Sequence, residues 1–255
     1  MATDTPKLWY VAYGSNMSTA KFTGSRGIKP ICSIRVRIPG FRLAMQIPGV
    51  PYSEPSFASI TPRTLAEAEK GTEPDVIGVA YLILQCQYKR VIASEGGGIA
   101  YRDIRVLCEP LCGIDRKGLG DRIEMRTLAT AMLRKPAPLP SQRYMAILEQ
   151  GSRESQLPLS YQQYLLDKPK YQPPTSFRTK LGARIFATFW GPMMAVLEKV
   201  TRHSIQDDGT AHWSVVIMVR STMFIMWVLW HDCVFAPIFG RGDGLLDCVV
   251  AGAHT

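Results

Sequence analysis

Short runs of β-forming residues, each closed by glycine, proline or a polar turn, fill most of the first 130 positions of this chain. Leu8 to Tyr13 (LWYVAY) reads as a buried strand running into the tight loop Gly14-Ser15-Asn16, after which Ser18 is placed to cap a short helix. Cys32 to Ile38 alternates apolar and basic residues, as a strand with one face in water must, and Phe41, Leu43 and Met45 continue the period of two beyond a bend or bulge expected at Pro39-Gly40. Ser56 to Ile60, Val76 to Leu84, Tyr101 to Leu107 and Ile123 to Leu128 read as further strands, with the acidic stretch Glu67 to Glu73 as a solvated loop or helical turn. Helical spacing is predicted at Gln87 to Ser94, where Tyr88, Val91, Ile92 and Glu95 share a face before Gly96-Gly97-Gly98 stops the helix. Two more helices are expected at Gln142 to Glu154 and Ser160 to Leu166. Many strands with few helices and no regular β-α alternation exclude a doubly wound fold and predict an α+β chain with a strongly curved or closed mixed sheet.

The pattern changes after Pro169. A Pro-rich stretch, Lys170 to Pro174, precedes two apolar segments, Ile185 to Leu197 and Trp213 to Trp230, so a boundary is expected near residue 175, giving units 1–175 and 176–255. The first segment is too short for a bilayer, which needs about 20 residues. The second carries Arg220 near its middle, and a central charge costs about 2.5 to 3.5 kcal/mol on insertion scales. The segments are therefore read first as a helical hairpin packed on the main unit, with peripheral membrane contact through residues 185–239 or a homodimer interface as the alternatives.

Charge follows the same division. Residues 1–179 hold 24 basic and 15 acidic side chains and residues 180–255 hold 6 of each, so the whole net charge of +9 sits in the N-terminal part. It is scattered in pairs such as Lys89/Arg90 and Arg134/Lys135, without an arginine-rich run, which suits small anionic molecules and points away from nucleic acid. The composition, 46% hydrophobic and 20% charged, excludes collagen and disorder. Six dispersed cysteines and no basic-then-apolar leader read as a cytoplasmic chain with free thiols. Cys108 and Cys112 lack a second ligand pair at zinc spacing, and the four histidines all lie far downstream, so no metal site is expected.

Two places combine a glycine-rich turn with polar groups at the end of an apolar element. At Tyr13-Gly14-Ser15-Asn16 successive backbone N–H groups would face one concavity suited to a carboxylate or oxyanion, although an ordinary strand-to-helix turn has the same pattern. Glu95 ends its helix, where the negative end of the dipole opposes ionisation and apolar surroundings would raise its pKa further. Such a carboxyl suits a group that accepts and returns a proton, but a surface glutamate beside a loop has the same local sequence.

Tyr10 to Met17 (YVAYGSNM) resembles the YGSN loop of the γ-glutamylcyclotransferases, Glu95-Gly96 followed by Tyr101-Arg102 resembles that family's catalytic-glutamate segment, and Tyr144 to Tyr164, with LPLSYQ, resembles the stretch that follows in the same order. The matches span about residues 7–170. The apolar tail resembles fungal members, including the branch associated with gliotoxin-type epipolythiodioxopiperazine biosynthesis. The resemblance implies a mixed α/β fold around a small β-barrel, no metal or organic cofactor, and a small-molecule γ-glutamyl substrate whose α-amine attacks its own γ-carbonyl, releasing 5-oxoproline and a free amine. It implies that Glu95 shuttles the proton, that Tyr10, Val11, Ala12, Tyr13, Gly14, Ser15 and Asn16 form the substrate-binding strand and loop, and that Tyr144 contacts substrate. Tyr101 is expected in the same pocket or in the core. The run Gly96-Gly97-Gly98 is expected to be permissive, widening the pocket mouth for a bulky substrate. The same residues would serve a general γ-glutamyl amino acid or glutathione cyclotransferase, and an inactive membrane-associated ligand binder is the rival from another class.

Overall fold

The computed structural model describes residues 6–64, 73–111, 118 and 120–245. The acidic stretch before residue 73, Cys112 and Cys248 therefore lie outside the described residues, apart from Glu73 itself. Strands β1 (Lys7–Ala12), β2 (Cys32–Ile38), β5 (Val76–Leu84), β6 (Tyr101–Pro110) and β7 (Ile123–Thr130) close a barrel in the order β1-β5-β2-β6-β7. Its pairings are antiparallel except where β1 meets β7 in parallel at Tyr10 and Arg126. Closure covers the β1 and β7 edges that an open five-stranded sheet would expose.

Strands β3 (Phe41–Val50) and β4 (Glu54–Pro62) form a separate hairpin. Pro39-Gly40, with Gly40 at φ +75°, is the bend that sends the chain out of the barrel, so β2 and β3 follow one another without pairing. The period of two expected at Phe41, Leu43 and Met45 is broken by a register shift between Ala44 and Ile47, and the second half of β3 is buried on both faces. The main core fills the barrel with fully buried Val11, Val36, Ile38, Val76, Ala80 and Ile83 and extends to Val91 of α1 (Gln85–Ser94) and Met145 and Leu148 of α2 (Gln142–Glu154). Each such valine, isoleucine, leucine or methionine side chain contributes about 1.5–3 kcal/mol by leaving water. Helix α3 (Leu159–Leu166) adds Tyr161 and Leu165.

The two apolar tail segments belong to longer helices than their hydrophobic runs suggest. Helix α4 spans Phe177–His203, capped by Ser176, whose hydroxyl accepts from the N–H of Thr179. Helix α5 (Trp213–Phe224) continues through wider turns at Ile225–Phe235 into Ala236–Phe239. The apolar runs end where the helices dip to polar turns, but helical hydrogen bonding carries on. The two helices build a second core around Phe186, Trp190, Met226, Trp227 and Phe235, and Tyr52 and Ile99 from the N-terminal part join it. Trp227 donates its indole N–H to the carbonyl of Gly49 at 2.9 Å, which fixes this hairpin onto β3.

Behind that contact lies a buried polar joint. Arg134 places one guanidinium nitrogen 2.9 Å from both carboxylate oxygens of Asp232, and Arg241 pairs with Asp232 and Asp243. His231 contacts Asp232 through Nδ1 at 2.8 Å, while the N–H of Gly242 donates to Nε2. His231, Asp232 and Asp243 bring their ligand atoms within 4.8 Å of one another, a grouping that spacing in the sequence did not reveal. Two guanidiniums already neutralise the two carboxylates, so the cluster is a salt-bridge network joining the two parts of the chain.

Candidate active site

The first loop enters the site by a tighter route than a regular helix start. Ser15–Met17 form one 3₁₀ turn, closed by the N–H of Met17 donating to the carbonyl of Gly14 at 3.0 Å. The N–H groups of Ser15 and Asn16 precede that first bond and have no partner inside the turn. Ser18 does not cap the next turn with its hydroxyl as expected; its carbonyl accepts from Lys21 and Phe22, opening the wide-turned Ala20–Ser25. This segment matters because it delivers Arg26.

Glu95 sits at the C-terminal cap of α1, its N–H donating to the carbonyls of Val91 and Ile92. Its Oε1 accepts from the Asn16 amide at 3.0 Å and from Arg26 at 2.5 Å. Both bonds fall on the same carboxylate oxygen. Burial pushes the Glu95 carboxyl above its ordinary value, while Arg26, the Asn16 hydrogen bond and Lys21 pull it back; burial wins. Arg26 is itself held by the hydroxyl of Ser94, one residue before the glutamate.

Around this carboxyl lies a cavity of about 340 Å³, at the small end of the range for ligand sites. Tyr10, Tyr13, Gly14, Ser15, Asn16, Glu95, Tyr101 and Tyr144 all line it. Val11 and Ala12 do not: they pair with Ala80 and Val79 in the barrel ladder and lie buried in the core, with the Val11 carbonyl accepting from Thr127. The tyrosines are fixed by their own hydroxyls. Asn16 also donates to the Tyr10 hydroxyl at 2.9 Å, Tyr13 donates to the Leu128 carbonyl, Tyr101 donates to the Ala58 carbonyl at 2.8 Å, and Tyr144 accepts from the Ala58 N–H at 3.1 Å. Burial pushes all four phenols up, so they act as neutral hydrogen-bonding groups.

Sequence reasoning missed the cations. Lys21, Arg26 and Arg143 line the cavity, and the position of Lys21 and Arg26 just after the YGSN loop was the available signal. Asn16 Oδ1 and Arg26 Nε are buried without a hydrogen-bond partner among the described residues, an acceptor and a donor held at the site. A second cavity of about 430 Å³ meets the first at Glu95, Tyr101 and Leu128 and is walled in part by Asp208, Thr210 and Arg220 of the C-terminal part.

The expectation of a loose glycine lip is corrected by this geometry. Gly96, Gly97 and Gly98 all take positive φ, at +85°, +59° and +87°, but a Cβ on Gly97 would lie 2.6 Å from the Ala211 nitrogen and 2.7 Å from Ile205 Cδ1. Glycine is needed at Gly97 because another segment packs directly on its backbone.

Residues 176–238 match the family model described as the AclK C-terminal domain. The γ-glutamyl cyclotransferase aclK of Aspergillus oryzae is 39% identical over 248 residues, covering 93% of this chain and 90% of that protein. The γ-glutamyl cyclotransferase gliK of Aspergillus fumigatus is 33% identical, with 93% and 89% covered, and its namesake from Claviceps purpurea is 35% identical, with 89% and 100% covered. Among solved structures, an uncharacterized human protein aligns with TM-score 0.52 at 20% identity, covering 70% of this chain and 98% of that one. A structure titled γ-glutamyl cyclotransferase aligns with TM-score 0.50 at 20% identity, covering 71% and 99%. These two show the fold, and the long alignments with the fungal proteins show the lineage: the chain belongs to the γ-glutamyl cyclotransferase family.

Proposed function

We propose that this chain removes γ-glutamyl groups as 5-oxoproline, with Glu95 as the catalytic base and acid. The observation that carries this is the joining of Glu95, Asn16 and Arg26 in a cavity lined by the YGSN loop and by Tyr10, Tyr101 and Tyr144. The N–H groups of Ser15 and Asn16, which have no partner inside their turn, with Lys21 and Arg143 nearby, suit the carboxylate of a γ-glutamyl group. Asn16 Oδ1 supplies an acceptor for the attacking amine. The amine nitrogen bonds to the γ-carbonyl carbon, its proton passes to Glu95, and the same proton goes to the departing nitrogen as the original amide bond breaks. Because the reacting atoms are tethered in one molecule, positioning and proton transfer are the main demands on the protein.

The substrates in this reading are glutathione-derived or γ-glutamyl-cysteinyl adducts of fungal secondary metabolism of the gliotoxin type. The second cavity, meeting the first at Glu95, supplies room beyond the γ-glutamyl group. Residues 1–175 in this reading carry the groups that touch substrate, and 176–255 form the extension packed on them. Among the described residues, one helix, Trp213–Phe239, is long and apolar enough to cross a membrane by length and composition. Its exposed positions between Trp213 and Ile238 include Ile217, Met218, Phe224, Ile225 and Leu229 and carry no charged side chain, which supports a peripheral contact of this face while its other face stays in the second core.

The test is 5-oxoproline release from γ-glutamyl-alanine, glutathione and a bis-glutathione conjugate by wild type and Glu95→Gln. Release that the substitution lowers by about 10³-fold or more, with substrate binding kept, is the expected result. Undiminished release by Glu95→Gln overturns the assignment of the base, and absence of release from all three by folded wild type overturns the reaction.

A further inference from the structure

Three consecutive carbonyls follow Glu95, and the C-terminal part supplies a hydrogen-bond donor to each. The N–H of Ala211 donates to the Gly97 carbonyl at 2.8 Å. Arg220 donates through one terminal nitrogen to the Gly98 carbonyl at 3.1 Å and through Nε to the Ile99 carbonyl at 3.0 Å. Positive φ at all three glycines turns this segment out of the α1 helix, and the Ile99 side chain enters the second core with Ala211, Val219 and Met223. On the other side of α1, the turn at Gly209, with φ +89°, sits against the Lys89 backbone, where a Cβ would lie 2.4 Å from the carbonyl oxygen.

Three glycines in succession form a backbone with more accessible conformations than any other sequence, so the segment that leaves Glu95 keeps one path only where something outside it holds it. Within the glycine run, the Gly97 N–H returns to Ile92 and the Ile99 N–H to Gly96, but the outward-facing carbonyls depend on residues more than a hundred positions later. Arg220 is the charged side chain that stands in the middle of an otherwise apolar helical segment, and these two carbonyls account for its presence there.

We propose that Arg220 is a positioning residue for catalysis: its fork of donors fixes the Gly98–Ile99 backbone and, through it, the direction of the Glu95 carboxyl. The C-terminal part thereby belongs to the catalytic apparatus while contributing no group that reacts. The proposal rests on Glu95 being the base, and the two readings separate in the same experiment, since Glu95→Gln tests the base independently.

The experiment compares wild type, Arg220→Ala, Arg220→Lys, Gly97→Ala, Arg134→Met and Glu95→Gln for kcat and KM with γ-glutamyl-alanine, alongside thermal melting and 5-oxoproline release with added guanidinium chloride at tens of millimolar, well below denaturing concentration. Arg220→Ala is expected to lower kcat about 10- to 100-fold with KM within about twofold, as a displaced catalytic group does. Guanidinium restores part of that loss, and Arg220→Lys, whose single ammonium lacks the planar fork, restores less than the native side chain. Gly97→Ala, which pushes Ala211 off the loop without altering Arg220, reproduces the kcat loss. Arg134→Met, which breaks a different joint between the two parts, lowers the melting temperature without a guanidinium-responsive loss of kcat. Wild-type kcat in Arg220→Ala overturns the proposal, and so does a loss that guanidinium leaves untouched and that Gly97→Ala does not share.

Discussion

Arg26 sets its guanidinium 2.5 Å from Glu95 Oε1, the same oxygen that accepts the Asn16 amide. The pair is shielded, with 13% and 19% of the two side chains exposed, yet burial still holds the carboxyl above its ordinary range. Arg26 and burial therefore act in opposite directions on one proton.

Removing the cation in Arg26→Met leaves burial unopposed except by Asn16 and Lys21, so the pKa of Glu95 moves further up. The base must be ionised to accept the amine proton, so the acidic limb of kcat/KM against pH moves to higher pH, and the rate at neutral pH falls. A pH-rate profile with γ-glutamyl-alanine reads this directly. An acidic limb that stays in place or moves down would show that Arg26 does not set the ionisation of Glu95.

Tyr144 tests the pocket wall. Its hydroxyl accepts from the Ala58 N–H inside a buried cavity, and its ring meets Phe57 edge-on at 5.0 Å. Tyr144→Phe keeps the ring contact and leaves one buried N–H without a partner, a loss of about 1–3 kcal/mol. The expected outcome is a lower melting temperature and a raised KM, with kcat changed less, since Tyr144 makes no bond to Glu95. Calorimetry and steady-state kinetics on the purified variant check both halves.

What sequence made legible is what nearest neighbours along the chain determine. The LWYVAY strand, the GSN turn, the helical face of Tyr88, Val91 and Ile92, and the position of Glu95 at that helix's end all follow from local period and turn chemistry, and each lies where those patterns predict. Arg26 was not legible because it follows the wide-turned Ala20–Ser25, whose residues show no periodicity to orient a side chain. The glycine run was read as slack because a sequence shows the freedom of a glycine and not what occupies the space beside it; Ala211 and Arg220 lie more than a hundred positions away. The joint at His231, Asp232 and Asp243 is likewise completed by the distant Arg134.

That joint carries its own pH dependence. Burial pushes the Asp232 carboxyl up, but His231 and Arg134 together hold it below its ordinary value. Because the folded pKa is the lower one, the stabilisation is fully present above the unfolded value near 3.9 and is lost as pH falls through the folded value. Thermal stability should therefore be insensitive to this group at neutral pH and decline below roughly pH 4. Arg134→Met removes a charge-assisted pair and the guanidinium packed 4.1 Å from the Trp227 ring, while Asp232 keeps Arg241. A loss of about 1–3 kcal/mol follows, and the acid-side decline should become shallower; melting curves across pH 3–7 for wild type and variant measure both.

The last prediction concerns chain ending at residue 175. Such a fragment keeps every strand of the barrel, Glu95, Asn16, Arg26 and the cavity tyrosines. It loses the partners of Gly49, Gly97, Gly98, Ile99 and Arg134, and it exposes Tyr52, Ile99 and Met132, which now pack in the second core. An apolar patch left uncovered on a small domain favours association over folding. The fragment is expected to bind a hydrophobic dye, to elute from gel filtration as aggregate, and in whatever monomeric fraction survives to turn over γ-glutamyl-alanine at least about tenfold more slowly than the full chain. A monomeric fragment with the full chain's kcat would instead confine the catalytic unit to the barrel and leave the helices as an independent module.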